Sequence, residues 1–263
     1  FRGCPFQCTF CNSPMQVRFA KDNKLGNFLR TKNVERIRMA ILDLIENYQP
    51  QYLYILDDSF LSRPKRELDA FIEMYSEFKI PFWFNTRPES VNAEILKQFI
   101  EIGLDRLSVG LEHGNFDFRK NVLKRNPSNE TLLEHLEIIA NSGVSFSINN
   151  IIGFPTETRE MMFETIEFNR LIRGFDALTI SIFTPYQGTE LRELAIKENY
   201  YDSESLTTHT TSSSLLKMPH LTSEQIDGIF RTFLMYVRFE KELWPEIERA
   251  ESFTSEGNRI WKQ

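Results

Sequence analysis

Cys4-Pro5-Phe6-Gln7-Cys8-Thr9-Phe10-Cys11 holds every cysteine of the 263-residue chain, all near its start. An odd number of thiols bunched in one short stretch is ligation chemistry, not the dispersed pattern of a secreted disulfide framework. Three thiolates can hold three irons of a 4Fe-4S cluster and leave the fourth iron open to a chelating substrate or cofactor. An electron carrier would normally close that position with a fourth cysteine, and a structural zinc site with a fourth Cys or His. Neither is at hand, because His113, His135, His209 and His220 all lie far along the chain and none at zinc-finger spacing. Thiolates kept for ligation need a reducing compartment, so the cytoplasm is the expected location.

Downstream of the cysteines, short strand-like apolar runs alternate with helix-period stretches, the sign of βα units and a parallel sheet. Strands are expected at Tyr52 to Leu56, Phe82 to Phe84, Arg106 to Val109, Val144 to Ile152 and Leu178 to Phe183. Between them, Val34, Ile37, Ile41, Leu44, Ile45 and Tyr48 form one helical stripe, and Leu68, Phe71, Ile72, Tyr75 and Phe78 form another after Pro64. Two further stripes end at Gly103 and Gly143, each placed for a left-handed C-terminal cap, and Met161, Met162 and Ile166 lead to Gly174. Only Phe1 and Arg2 precede the cysteine loop, which must hang from some element. The sequence therefore reads as truncated there, with a sixth strand missing. Periodicity alone does not separate a partial barrel from a doubly wound sheet. Both architectures place ligands at the carboxyl ends of the strands.

Those ends are polar. The first strand runs into Asp57-Asp58, the second into Asn85 and Arg87, the third into Glu112-His113, and the fourth carries Asn149-Asn150 ahead of Ile151-Ile152-Gly153-Phe154-Pro155. Buried acids and amides facing one mouth need hydrogen-bonding partners, which a zwitterionic ligand carrying a ribose and an adenine would provide. Asp57 and Asp58 also invite a reading as paired carboxylates for acid–base or divalent-metal chemistry. Adjacent strand residues point to opposite faces, which argues against their meeting on one ion.

The Cys-x3-Cys-x2-Cys spacing, with Phe10 before the last cysteine, resembles the signature of the radical S-adenosylmethionine (radical SAM) superfamily. Leu56-Asp-Asp-Ser-Phe60, Arg87-Pro-Glu89, Val109-Gly-Leu-Glu-His-Gly-Asn115, Val122-Leu-Lys-Arg125, Asn150-Ile-Ile-Gly-Phe-Pro-Thr-Glu157 and Phe183-Thr-Pro-Tyr-Gln-Gly-Thr-Glu-Leu191 extend the likeness over most of residues 1–200. Together they resemble the branch in which a cobalamin-binding domain precedes the core. The resemblance implies an α/β fold, a partial (β/α)6 TIM-like barrel. It implies a 4Fe-4S cluster on Cys4, Cys8 and Cys11, and S-adenosyl-L-methionine cleaved reductively to a 5′-deoxyadenosyl radical. By the same resemblance, Asp57 and Asp58 meet the methionine amino group, often through backbone carbonyls. Glu112 holds the ribose hydroxyls and Arg125 pairs with the methionine carboxylate, a task that suits a guanidinium fork. Adenine recognition maps to Phe10, to Ile151 through Pro155 with Gly153 at its turn, and to Phe183 with Pro185; Asn85, Arg87 and Asn149 complete the expected cofactor site. His113 departs from the small residue usual after this glutamate, and reads as a hydrogen-bonded rim residue more readily than a substrate contact.

Residues 1–199 are thus expected to form the partial barrel and 200–263 a mainly helical C-terminal extension. The Ser/Thr-rich run Asp202 to Ser214 reads as a mobile connector or substrate-proximal loop. A helix follows, capped by Thr222 or Ser223, with Ile226, Ile229, Phe230, Phe233 and Val237 along a face that would cover the barrel's open side. The net charge of −6, from 31 basic and 37 acidic residues, argues against nucleic acid as the partner. No apolar run reaches the roughly 18–20 residues that span a bilayer. The resemblance implies cobalamin held by an upstream N-terminal domain, a small-molecule or natural-product substrate, and an electron donor such as flavodoxin or ferredoxin. Methylation, then cyclisation or rearrangement, are the reactions that branch implies. A cobalamin-independent oxidoreductase or methylthiotransferase, and a non-catalytic iron–sulfur or metal-binding module, are the competing readings.

Overall fold

Phe82, Phe84 and Thr86 turn one way and Trp83 and Asn85 the other, and this two-residue period sets the architecture. A computed structural model describes residues 2–263. Its sheet has five strands, β1 (Leu53–Ile55), β2 (Phe82–Thr86), β3 (Leu104–Glu112), β4 (Ser145–Ile152) and β5 (Ala177–Ile182), paired in the order β1-β2-β3-β4-β5. Every pairing is parallel. A doubly wound sheet would reverse direction at a switch point. This one winds a single way and stays open between β1 and β5, a partial barrel of five strands among the described residues, one fewer than the expected six. Ahead of it, Arg2 only makes an isolated antiparallel bridge with Arg30.

Helices α1 (Asn12–Asp22), α2 (Val34–Tyr48), α3 (Lys65–Tyr75), α4 (Ala93–Glu101), α5 (Phe116–Asn121), α6 (Asn129–Ser142) and α7 (Arg159–Leu171) fall before and between the strands. Then come α8 (Glu190–Lys197), α9 (Ser223–Arg238), α10 (Trp244–Glu251) and α11 (Ser255–Lys262). Each long stripe read from the sequence became a helix. Gly143 caps α6 in the left-handed region, at φ 78°, where a Cβ would be strained. The stripe of α2 is only partly covered: Ile41 is buried, but Leu44 and Tyr48 are exposed. The sheet edge beside it, β1, is only three residues long and offers little surface to pack on. No helix is long and apolar enough to cross a membrane among the described residues.

The core lies between the sheet and this helix layer. Phe60, Phe71, Tyr75, Phe82, Phe84 and Phe99 form an aromatic wall under β2, with Phe60 stacked on Phe84 at 4.4 Å and Phe84 edge-on to Phe99 at 5.6 Å. In β4, Phe146, Ile148, Asn150 and Ile152 are buried, and Ser145, Ser147, Asn149 and Ile151 face the opposite side. Residues 200–222 have no regular structure but are well tied: the Ile182 N–H donates to Thr210 O at 2.7 Å along the outer edge of β5. Helix α9, with a complete Thr222–Gln225 capping box, packs on α7 and β5. It therefore extends the helix layer behind the last strand and does not lie across the polar face.

Phe99 is fully buried in the aromatic wall. Phe99→Ala is expected to lower stability by about 3–5 kcal/mol. Urea denaturation followed by circular dichroism measures this, and an unchanged midpoint would remove the wall from the core.

Candidate functional site

The cysteine loop is pinned over the carboxyl ends of the strands by ordinary hydrogen bonds. The Thr9 N–H donates to Leu123 O at 3.4 Å, its hydroxyl to Val122 O at 2.7 Å, and Thr9 O accepts from Leu191 N at 3.2 Å. Cys11 caps the N-terminus of α1, its sulfur accepting from the Ser13 N–H at 3.4 Å. Ser13 Oγ in turn accepts from the Cys4 N–H at 2.9 Å and donates to Asp58 Oδ2 at 3.3 Å. All three thiols are half-buried. Burial pushes the Cys4 thiol up, and pushes Cys11 up to about 11, with Cys8 and Asp58 adding to the rise at both and the Ser13 N–H opposing it at Cys11. At neutral pH these two thiols hold their protons, so ligation by thiolate must displace them.

Beside the thiols runs a buried chain of charges. Arg87, at the end of β2, donates from Nε to Glu89 Oε1 at 2.6 Å, and its Nη1 lies 3.8 Å from Cys8 Sγ. Arg125 donates from Nη2 to Gly110 O at 2.6 Å and from Nη1 to Glu112 Oε1 at 3.4 Å. Glu112 sits at φ 71° where the β3–β4 register shifts, and that bulge turns its carboxylate back over Gly110. A Cβ on Gly110 would stand 2.2 Å from Glu112 Oε1, so a side chain there would displace the carboxylate from this position. Burial raises the pKa of Glu112, against the pull of Arg125 and Arg87. Glu89 was missing from the expected site residues although its motif was legible. Its Oε2 is buried without a hydrogen-bond partner, with Arg125 Nη2 at 4.0 Å.

The third part is aromatic. Phe154, fully buried, lies 5.7 Å from Phe10 of the cysteine loop, 5.3 Å from Phe183 and 5.9 Å from Phe118, ring centre to ring centre. Phe183 N donates to Ile152 O at 2.8 Å, which locks the end of β5 to that of β4. Gly153, at φ 79°, lets Ile226 of α9 approach to 3.0 Å of where a Cβ would stand. Pro155 and Pro185 are buried, and Ile151 is half-buried on the polar face. Thus Phe10, Phe154 and Phe183 meet ring to ring, with Ile151, Pro155 and Pro185 beside them along the chain. Phe154, within the expected Ile151–Pro155 stretch, is the ring that links Phe10 to Phe183.

A sequence profile described as the radical SAM superfamily matches residues 1–168. The chain belongs to the radical SAM superfamily. It is 30% identical over 231 residues to an uncharacterized methyltransferase of Pyrococcus horikoshii, covering 88% of this chain and 48% of that protein. It is 23% identical over 241 residues to the anaerobic magnesium-protoporphyrin IX monomethyl ester cyclase of Cereibacter sphaeroides, covering 88% and 37%. The chain therefore spans half or less of the length of these relatives. Among solved structures, the cobalamin-dependent S-adenosylmethionine radical enzyme OxsB, with aqua-cobalamin and S-adenosylmethionine bound, superposes with a TM-score of 0.65. That match is 14% identical and covers 99% of this chain and 44% of that one, so it speaks for the fold.

Within this radical SAM core the other expected residues separate by the face they occupy. Asp57 turns into the wall, where its Oδ2 accepts from Arg63 Nε at 3.2 Å, while Asp58 reaches toward Ser13. The two carboxylates do not converge on one ion. Asn85 donates to the Tyr54 hydroxyl at 2.7 Å and Asn149 to Ser108 Oγ at 2.8 Å, both on the polar face. Asn150 points the other way, exchanging hydrogen bonds with Asn169 of α7 at 3.1 and 2.9 Å. Arg2, Gly3, Phe28, Asp57, Asp58 and Asn85 line a cavity of about 500 Å³ next to the cysteine loop. A larger one, about 590 Å³, is lined by Gly114, Arg159 and Phe163 among the helices and carries none of this chemistry.

His113 is not at the rim. It is fully buried, its Nδ1 accepts from the Asn115 N–H at 3.1 Å, and its Nε2–H therefore donates to Glu157 Oε1 at 3.0 Å. Glu157 Oε2 accepts from the Phe154 N–H at 2.9 Å, so the pair fixes the Phe154 loop to the end of β3. His113→Leu leaves the buried carboxylate short of a donor and is expected to cost about 3 kcal/mol. Urea denaturation tests it, and stability within the noise of the parent would deny the pair its role. In the metal-free protein at pH 8, iodoacetamide is expected to alkylate Cys11 at least about tenfold more slowly than free cysteine, the rate still climbing above pH 9. A rate equal to that of free cysteine, read by peptide mass spectrometry, would contradict the raised thiol.

Proposed function

We propose that this chain is the catalytic core of a radical SAM enzyme in which Cys4, Cys8 and Cys11 hold a 4Fe-4S cluster. The observation that carries the reading is the donor set: three thiols on one loop, fixed over the strand ends beside two buried guanidiniums. The cysteine spacing suits a cluster better than zinc. When bound, such a cluster supplies the one electron that splits the sulfonium of S-adenosylmethionine into methionine and a 5′-deoxyadenosyl radical.

The protein's part is placement. Arg125 offers its guanidinium to the methionine carboxylate, and the Asp57–Asp58 segment meets the amino group, the Asp57 side chain being engaged with Arg63. Glu112, loosely held by Arg125 at 3.4 Å, accepts from the ribose hydroxyls. Phe10, Ile151, Gly153, Pro155, Phe183 and Pro185 form the adenine wall, fixed by Phe154, and Asn85 and Asn149 bound the polar side. Burial keeps water from competing for these hydrogen bonds.

In the intact protein this core would act with cobalamin on an upstream domain. Methyl transfer to a small-molecule or natural-product substrate is the leading reaction, supported by the methyltransferase relative and the cobalamin-bound structural neighbour. Cyclisation comes next, supported by the cyclase relative. The cytoplasm is the proposed location, with flavodoxin or ferredoxin as donor.

Anaerobically reconstituted protein, reduced with dithionite in the presence of S-adenosylmethionine, should form 5′-deoxyadenosine and methionine. A fully iron-loaded protein that forms neither would sink the reading. Glu112→Ala should weaken S-adenosylmethionine binding by about 10- to 100-fold at unchanged iron content, the worth of a charge-assisted hydrogen bond. Equal affinity by titration calorimetry would remove Glu112 from the site.

A further inference from the structure

We propose that Arg87 is a positioning residue for electron transfer, whose guanidinium is held against the Cys8 sulfur to stabilise the reduced cluster and raise its reduction potential. The inference rests on the cluster assignment made above. It gives Arg87 a different task from binding the ligand's carboxylate.

Arg87 is fixed on three sides. Glu89 takes the Nε edge and also pairs with Nη2. The ring of Phe6, from between Cys4 and Cys8, lies flat beneath the guanidinium, 3.7 Å from its carbon to the ring centre. The remaining nitrogen, Nη1, points its N–H at Cys8 Sγ, 3.8 Å away. The edge of Arg87 that could clasp a carboxylate is thus already filled by Glu89. Arg125 gives Nη2 to Gly110 O, but its Nη1 contact with Glu112 is long, so it is the guanidinium with an edge to offer a ligand carboxylate. Pro88 sets the turn between Arg87 and Glu89, Arg87 standing just before the short 3-10 segment Pro88–Ser90 and Glu89 within it.

The chemistry follows from where charge is added. One electron from a low-potential one-electron donor enters the cluster, and no bond or proton changes hands in the protein. The added negative charge spreads onto the ligand sulfurs, where a nearby cation and an N–H···S hydrogen bond favour it over the oxidised state. Arg87 is only 7% exposed, so the effect is weakly screened. A residue that merely braced the loop would change iron content or stability and leave the potential alone.

The test is a dithionite titration of the reconstituted protein, followed by the electron paramagnetic resonance of the reduced cluster, without S-adenosylmethionine. At the parent's midpoint, Arg87→Gln should raise the ratio of oxidised to reduced cluster by about tenfold or more, a downward shift of about 59 mV for a one-electron couple. Arg87→Lys, which keeps the charge but loses the fork, should shift it less. A ratio within about threefold of the parent in Arg87→Gln, at equal iron content, overturns the inference and leaves the cluster assignment standing. A parent that forms no reducible 4Fe-4S cluster overturns both. Should Arg87→Gln fail to hold iron, parent protein labelled with ¹⁵N-arginine decides: pulsed resonance of the reduced cluster should show a ¹⁵N coupling that Arg87→Lys lacks, and its absence from the parent overturns the inference.

Discussion

Burying two guanidiniums and two carboxylates within reach of three thiols is the constraint around which this strand-end site is arranged. Each buried charge left alone would cost several kilocalories, so every one needs a close partner. Arg87 finds Glu89, and Arg125 finds Glu112 and Gly110 O. Much of the local backbone follows from this need. Pro88 turns the chain so that Glu89 returns to Arg87, the bulge at Glu112 aims its carboxylate inward, and Gly110 leaves room for it. The same burial that makes these pairs strong drives the Cys4 and Cys11 thiols toward their protonated form. The site thus opposes isolated thiolates and tolerates them together with cations, which suits a ligand set that matures as it binds metal.

The elements were legible where a period ran long enough to be read. All five strands and helices α2, α3, α4, α6, α7 and α9 follow from apolar spacing, with Gly143 and Thr222 marking ends by their own chemistry. The short helices α5, α8, α10 and α11, of six to eight residues, hold too few turns to show a stripe. At the site, the cysteine spacing named its own chemistry. What composition hid was direction. Asn149 and Asn150 look alike as letters, yet pleating sends one to the polar face and the other to Asn169. His113 looked like a rim residue because its partner, Glu157, lies 44 positions away. Phe154 lay within the stretch expected at the adenine, but its place between Phe10 and Phe183 does not show in sequence, where a hub and a filler are both buried phenylalanines.

A parallel sheet normally carries helices on both faces and near-continuous apolar strands. Here one face is apolar and helix-covered, while Asn85, Ser108, Ser147 and Asn149 stand in register on the other, Asn85 opposite Ser108 and Ser108 opposite Ser147. Such a face can be wetted without leaving unpaired polar groups in an apolar core. The open partial barrel therefore needs no second helix layer to be stable, and its strand ends stay accessible for ligands. The cavity beside Arg159 and Phe163, though larger than the one beside the cysteine loop, lies among helices and away from the strand ends where the chemistry gathers.

Glu157 links the C-terminal residues to this strand-end rim. Glu157 takes the His113 Nε2–H and the Phe154 N–H on its side chain, and its backbone oxygen accepts from His220 Nε2 at 3.0 Å. Ile226, at the start of α9, presses on Gly153 from behind. Leu216, Met218, Leu221, Ile226, Ile229 and Phe233 belong to the same continuous core as the strands. The Phe154 loop is therefore held from β3 on one side, through His113 and Glu157, and from residues 216–233 on the other, through His220 and Ile226. Phe154 in turn packs on Phe10 of the cysteine loop, so the C-terminal residues and the cysteines are joined by a short run of contacts.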